Sequence, residues 1–330
     1  MIFNSMKSLR FAPSILAAAL AVALLFPRPA KSYLSQYAGA NGSATRVRWD
    51  FTDFPVQWNL NPNTGGNITG GNLQDVVTAS FATWSAAPNT MLSIARGADS
   101  QAAAPAFDGT NLICFTCETD FNSDGTLAVT FTTTANGAGA DDKHGGKSRF
   151  AGQILDADIL FNPAVTFTMD GSGSNDLQTV LTHEIGHFLG LDHSAVVKAT
   201  MFPYAPPMER TLSSDDVAAI SALYPKANPD LETGTISGRV AMTDGSGVFG
   251  AHVFADSTTN APGYPGSVRK TPIGTLTMPD GSYEIQGVPP DQYTVAAEPL
   301  DGPVTNADIA NYSPALGKAS VQTNFTTRWH

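Results

Sequence analysis

Apolar residues recur three and four apart at Leu73, Val76, Val77, Phe81 and Trp84, the spacing that lines one face of an α-helix. Leu177, Val180, Leu181 and Ile185 repeat that pattern, and Asp176 in front of them can cap the helix, its carboxylate accepting from free backbone donors of the first turn. A third stripe, Val217, Ile220, Leu223 and Tyr224, follows Ser213 and Asp216, which stand three apart as a capping box, and Pro225 ends it. Between these stretches the pattern turns strand-like at Phe54–Leu60, Met91–Ile94, Leu127–Phe131 and Ile154–Phe161, the last closed by Asn162 and Pro163. Strand, long helix, several strands and a second helix describe an α+β domain over residues 47–225.

Beyond Pro225 the chain changes character. Residues 226–234 form a polar, proline-bearing linker, after which Thr235–Val240, Gly250–Phe254, Gly281–Ile285 and Tyr293–Ala297 alternate as strands separated by turn signals such as Asp280-Gly281. Residues 235–330 therefore suggest a smaller, all-β sandwich. The end at Arg328, Trp329 and His330, with no turn or closing strand behind it, leaves that module short of its last strand. At the other end, Lys7 and Arg10 precede an apolar run from Phe11 to Phe26, followed by Ala30-Lys31-Ser32 as a small-x-small cleavage pattern. Residues 1–32 read as a secretory signal; Pro27 and Pro29 and the shortness of the run weigh against an uncleaved membrane anchor. Residues 33–46 then form an N-terminal segment.

The chemistry is concentrated between His183 and His193, in the order His-Glu-Ile-Gly-His-Phe-Leu-Gly-Leu-Asp-His. His183 and His187, four apart on a helix, present both imidazoles to one point. Gly190 can turn the chain sharply and bring His193 back to the same point as a third nitrogen ligand. Three protein ligands leave a fourth zinc position open for a water whose pKa the metal lowers to about 7. Glu184 stands beside that position as a general base for attack of the zinc-activated water on an amide carbonyl. A bare His-Glu-x-x-His can also be a solvated helix face, but the third histidine and the glycine extend the pattern well beyond that.

His183 to His193 resembles the zinc-binding stretch of the metzincin metallopeptidases, and Ser194 directly after it resembles the matrixin branch. Met201, in Ala-Thr-Met-Phe-Pro-Tyr, stands where metzincins have the Met-turn, an apolar floor beneath the metal. Other metzincin branches carry a tyrosine two residues after that methionine; here the residue is Pro203. Leu212–Pro225 also resembles the last helix of matrixin catalytic domains. The resemblance, spanning roughly residues 45–225, implies a zincin-like domain with a mixed β-sheet, an active-site helix and one catalytic zinc. It also implies protein or peptide substrates, held against the edge strand near Leu127 and Ala128 by β-augmentation. The loop from Phe202 to Thr211, Pro203 included, would wall the pocket for the residue after the cut bond. Where animal matrixins put histidines for a second, structural zinc, this chain has Val129 and Asp158, which implies a single zinc. The C-terminal module resembles the prealbumin-like, carboxypeptidase-regulatory-like domains appended to secreted enzymes, and a spacer or folding aid is its plainest role.

Charge and cysteine content bound the rest. Without residues 1–32 the chain keeps 14 basic against 29 acidic residues, which makes nucleic acid an improbable partner and suits an exported, monomeric, globular protein free of stable membrane insertion. Cys114 and Cys117 are the two cysteines, and in an oxidising compartment their simplest reading is a local disulfide. Asp141, Asp142, Asp156, Asp158 and the loop from Asp170 to Asp176 could give calcium hard oxygen ligands, or be ordinary solvated acids. His144 and His252 read as surface and structural residues. These features support a secreted zinc metalloendopeptidase; the alternative is a non-catalytic adhesion or matrix-binding protein with a vestigial zinc site, which the intact Glu184 argues against.

Overall fold

The computed structural model describes residues 35–39, 45–117, 121, 125–143, 145–204, 208–259, 263–309 and 312–330. Residues 1–32, expected to serve export, lie outside the described residues, as do His144 and Pro206-Pro207. In chain order the elements begin with β1 (Tyr37–Ala38), β2 (Thr45–Arg46), β3 (Val56–Leu60), β4 (Ile68–Thr69), α1 (Leu73–Ser85), β5 (Ile94–Arg96) and β6 (Leu112–Cys114). They continue through β7 (Ala128–Thr134), β8 (Ile154–Phe161), β9 (Phe167–Thr168), α2 (Leu177–Phe188) and α3 (Ser214–Leu223). The β-rich remainder holds β10 (Gly234–Arg239), β11 (His252–Ser257), β12 (Ile273–Leu276), β13 (Ser282–Val288), β14 (Tyr293–Glu298), α4 (Tyr312–Ala315) and β15 (Arg328–Trp329).

Five strands form a mixed sheet in the order β5-β3-β6-β8-β7, parallel except for the antiparallel edge pair β7 and β8. The helices start where their caps dictate: Asn72, Asp176 and Ser213 each accept a backbone N–H three residues on. Phe81 of α1 stacks on Trp58 of β3 at 4.8 Å and stands edge-on to Phe188 of α2 at 5.7 Å, so one ring joins α1 to both the sheet and α2. The Trp84 indole donates to the Thr182 carbonyl at 2.8 Å, which fixes α1 against the middle of α2. The Tyr224 hydroxyl donates to the Leu189 carbonyl at 2.7 Å and accepts from the Trp49 amide at 3.1 Å, tying the end of α3 to the turn that follows α2.

Strand β8 is buried along its whole length. One of its faces joins the main core through Ala157, Ile159 and Phe161, while the other carries Asp156 and Asp158 beneath the loop that precedes β6. The cost of burying these carboxylates is offset by donors: Asp156 accepts from the Gly109 amide, and Asp158 from the Ala106 and Leu112 amides. The two acids thus anchor the loop that precedes β6.

In the C-terminal part, β12-β11-β14-β15 form an antiparallel four-stranded sheet and β10 and β13 a separate antiparallel pair. Its buried Val253, Ala255, Ile273, Ile285 and Val288 belong to the same hydrophobic core as Val217, Ala218 and Tyr224 around α3. Two sequence expectations change. The strand expected at Met91–Ile94 lies at β5, because Met91 is half-exposed and Thr90 instead pairs with Pro225. The expected linker is pinned, with Leu231 and Asn89 exchanging two hydrogen bonds, side chain to backbone, at 2.8 and 2.9 Å. Near the end of the given sequence, Arg328 and Trp329 pair as β15 with Ala297 and Ala296 of β14.

Candidate metal centre

His183 and His187 stand one turn apart on α2, and His193 returns to them after the chain turns at Gly190, whose φ is +95°. A side chain at Gly190 would strike the Val47 carbonyl, where a Cβ would lie 2.3 Å away, so both the torsion and the space there require glycine. The three rings converge with centroid separations of 4.8, 4.8 and 5.3 Å, and their ligand atoms lie within 4.8 Å of one another.

Each imidazole is oriented by a backbone carbonyl at its Nδ1: Thr200 for His183 at 2.7 Å, Leu191 for His187 at 2.9 Å and Asp308 for His193 at 2.6 Å. With Nδ1–H donating outward, each Nε2 lone pair is left for a metal. Burial lowers the pKa of all three rings, and the neighbouring histidines lower those of His183 and His193 further, which favours the neutral form a metal requires.

Met201 lies directly beneath, nearly fully buried, and presses so closely on α2 that a Cβ on Gly186 would come within 2.1 Å of its sulfur. The Met201 segment is held from below by Asp216, whose carboxylate accepts from the amides of Thr200 at 2.8 Å, Met201 at 3.1 Å and Ser213 at 2.7 Å. Ser194 donates its backbone N–H to the Met201 carbonyl and its hydroxyl to Asp215 at 2.6 Å. Asp215 and Asp216, in the first turn of α3, thus brace the site, a role beyond the capping box that the sequence showed for Asp216.

Glu184 is buried beside the histidines, and its Oε2 accepts from the Thr130 hydroxyl at 2.6 Å. Burial pushes its pKa up to about 7, against the pull of that hydroxyl and of His193. Thr130 belongs to β7, the edge of the sheet, and no spacing in the sequence marks it as a partner of Glu184. A cleft of about 590 Å³ opens over this group; Leu127, Ala128 and Thr130 line one wall, and Pro203 and Tyr204 line another part of it. Leu127 already gives its carbonyl to the Asn162 amide, on the side facing away from the open edge.

The remaining candidates are placed elsewhere. Cys114, at the end of β6, is bonded to Cys117. Asp176 accepts from Thr179 as the cap of α2 and pairs with Arg210, so it too is committed within the protein. Asp141 accepts from the Lys143 amide and Asp142 from the Gly146 amide, inside their own turns. Among the described residues, His183, His187 and His193 are the group of metal-ligating side chains that converges.

Residues 48–225, more than half of the chain, match the matrixin family. The chain belongs to the matrixin family. Among the relatives of this matrixin, karilysin of Tannerella forsythia is 45% identical over 66 residues, covering 20% of this chain and 14% of karilysin. A probable matrix metalloproteinase of invertebrate iridescent virus 3 is 30% identical over 192 residues, 56% of this chain and 45% of the viral protein. The macrophage metalloelastase of Rattus norvegicus is 40% identical over 87 residues, covering 25% and 18%. This matrixin thus spans less than half the length of each of these relatives. Matrixins use a catalytic zinc, and three converging, partly buried imidazoles with outward-turned Nδ1 atoms are a donor set that fits it. Among the described residues no helix is long and apolar enough to cross a membrane.

Proposed function

We propose that this matrixin is an exported zinc metalloendopeptidase that hydrolyses internal peptide bonds of proteins, with His183, His187 and His193 as ligands and Glu184 as general base. The observation that carries this is the Glu184 carboxylate, buried at the three-histidine cluster and steered toward it by Thr130. Bound zinc supplies Lewis acidity for the attacking water and the substrate carbonyl. Glu184 would take the proton of the attacking water and carry it to the departing nitrogen, its carboxylate held in place by the Thr130 hydroxyl. Strand β7, open on its outer edge, accepts an extended substrate as an added strand near Leu127 and Ala128, with Pro203 at the wall of the pocket beyond the cut bond.

Residues 1–32 serve export, 47–225 form the catalytic domain, and 235–330 form a prealbumin-like sandwich joined through 226–234. Supporting the last assignment, the four-stranded sheet and the β10–β13 pair both contribute buried side chains, Val253 and Ile285 among them, to one core. Nothing favours a purely adhesive role over catalysis while Glu184 keeps its place. The test is casein cleavage by the purified protein with and without chelator, beside Glu184→Ala. Cleavage should stop with chelator and fall by at least about 100-fold in the variant, as expected when a general base is lost; equal cleavage by Glu184→Ala would remove the catalytic assignment.

A further inference from the structure

Of the three carbonyls that orient the ligand rings, two belong to turns next to the helix, but the third comes from Asp308, 115 residues beyond His193 and within the C-terminal β-rich part. The loop that carries it is a built structure. The Asp308 side chain accepts from the Thr305 amide at 2.7 Å and the Thr305 hydroxyl at 2.9 Å, while its own amide donates to the Thr305 carbonyl at 3.1 Å. Val304 and Ile309 on either side are buried, in a cluster with Leu276, Leu300 and Tyr312. Against that cluster pack Ala195, two residues after the last ligand, and Phe202, next to Met201.

A second tie acts on the neighbouring residue. Asp215 accepts from the Ser194 hydroxyl with one oxygen and from the Gly274 amide of β12 with the other, at 2.6 and 2.8 Å. Arg269, in the same part of the chain, reaches over the Met201 segment, donating to the Thr211 carbonyl at 2.9 Å and the Thr200 hydroxyl at 3.1 Å and pairing with Glu209 at 2.9 Å.

We propose that the loop of residues 301–309 is a positioning element of the zinc centre: the Asp308 carbonyl holds the proton of His193 on Nδ1 and its Nε2 toward the metal, so that zinc retention depends on the C-terminal part being docked. A neutral imidazole has one N–H; without an acceptor at Nδ1 the ring can turn or move its proton to the coordinating nitrogen, and either weakens the third bond. Partners of this kind are worth about 10- to 100-fold in metal affinity. Because the coupling is reciprocal, zinc in turn holds the loop down. The module is then a component of the site, in place of the spacer its sequence suggested.

This inference rests on the zinc site proposed above, and metal analysis of the unaltered full-length protein tests that footing separately: one zinc per chain upholds it, and none would remove both readings. Two full-length variants then probe the carbonyl. In Thr305→Val with Asp308→Ala the side-chain clasp that shapes the loop is gone. In the other, Ile309 is replaced by its α-hydroxy analogue, so that the Asp308 carbonyl becomes a weaker, ester acceptor of the same shape. The readout is the rate at which a chromogenic chelator strips zinc; we expect about 10-fold faster loss from both. Amide exchange across residues 300–309 of the unaltered protein should slow when zinc is added to the metal-free form. Should the first variant misfold, the ester variant and the exchange measurement still decide. Unchanged zinc loss from the folded ester variant, or loop exchange indifferent to zinc, would overturn the proposal.

Discussion

Thr130 is the residue whose contribution to the reaction is most separable from folding. It lies on the edge strand, and its hydroxyl meets the Glu184 carboxylate at 2.6 Å. A hydrogen bond to a charged group contributes roughly 1.5–3 kcal/mol, so Thr130→Val, which keeps the shape, should lower kcat about 10-fold or more with little change in KM. Thr130→Ser should recover most of the rate. Steady-state kinetics on a fluorogenic peptide, with zinc content checked, measure this; a Val variant as fast as the parent would show that the hydroxyl steers nothing. The three converging histidines and Glu184 differ from Thr130 in how they could be found. His183, His187, Glu184 and His193 were legible because helix geometry converts a spacing of four into a shared face and a glycine into a reversal. Thr130 reaches Glu184 through the packing of the edge strand on α2, which no local spacing records.

At the scale of elements, the helices and β8 began and ended near their sequence bounds because caps, prolines and eight consecutive buried positions mark them. Strands β6 and β12 escaped notice: each is only three or four residues long and wholly buried, so neither shows an alternation to detect. Strand β8 also carries a consequence for pH. Burial pushes Asp156 up to about 7 and Asp158 up to about 6, from an ordinary 3.8, and the charge of Asp158 adds to the shift on Asp156. Their folded forms bind protons that the unfolded chain has already released between pH 4 and 7. The associated stability is complete below about pH 4 and is lost as pH rises through 6 to 7. We expect the urea midpoint of the zinc-saturated protein to fall between pH 5.5 and 7.5, by on the order of 1–2 kcal/mol for Asp156. Asp156→Asn should flatten that slope, and an undiminished slope in the variant would assign the effect to other groups.

The whole molecule behaves differently from what its composition suggests. The polar, proline-bearing stretch after Pro225 has the look of a boundary between independent modules, yet contacts run across it from α3 to β12 and β13 and close a common core. Much of that integration was invisible in the sequence because backbone groups carry it: the Asp308 carbonyl, the Gly274 amide and the Arg269 carbonyl, which accepts from the Ser214 amide at 2.8 Å. Backbone groups have no residue signature, so only the fold shows where they point. Two independent modules would melt separately, whereas a shared core implies that the main sheet and the C-terminal strands unfold together. Calorimetry of the full chain should therefore give one transition whose van't Hoff and calorimetric enthalpies agree. A chain ended at Pro225 would uncover the α3 face around Ala218, against which Gly287 packs closely enough that an added Cβ there would lie 3.1 Å from it. That shortened chain should melt several degrees lower, since each 1 kcal/mol lost costs roughly 2–4 °C in a domain of this size, and should release zinc faster. Two resolved transitions in the full chain, or a shortened chain with an unaltered melting temperature, would show instead that the C-terminal strands merely rest against the catalytic domain.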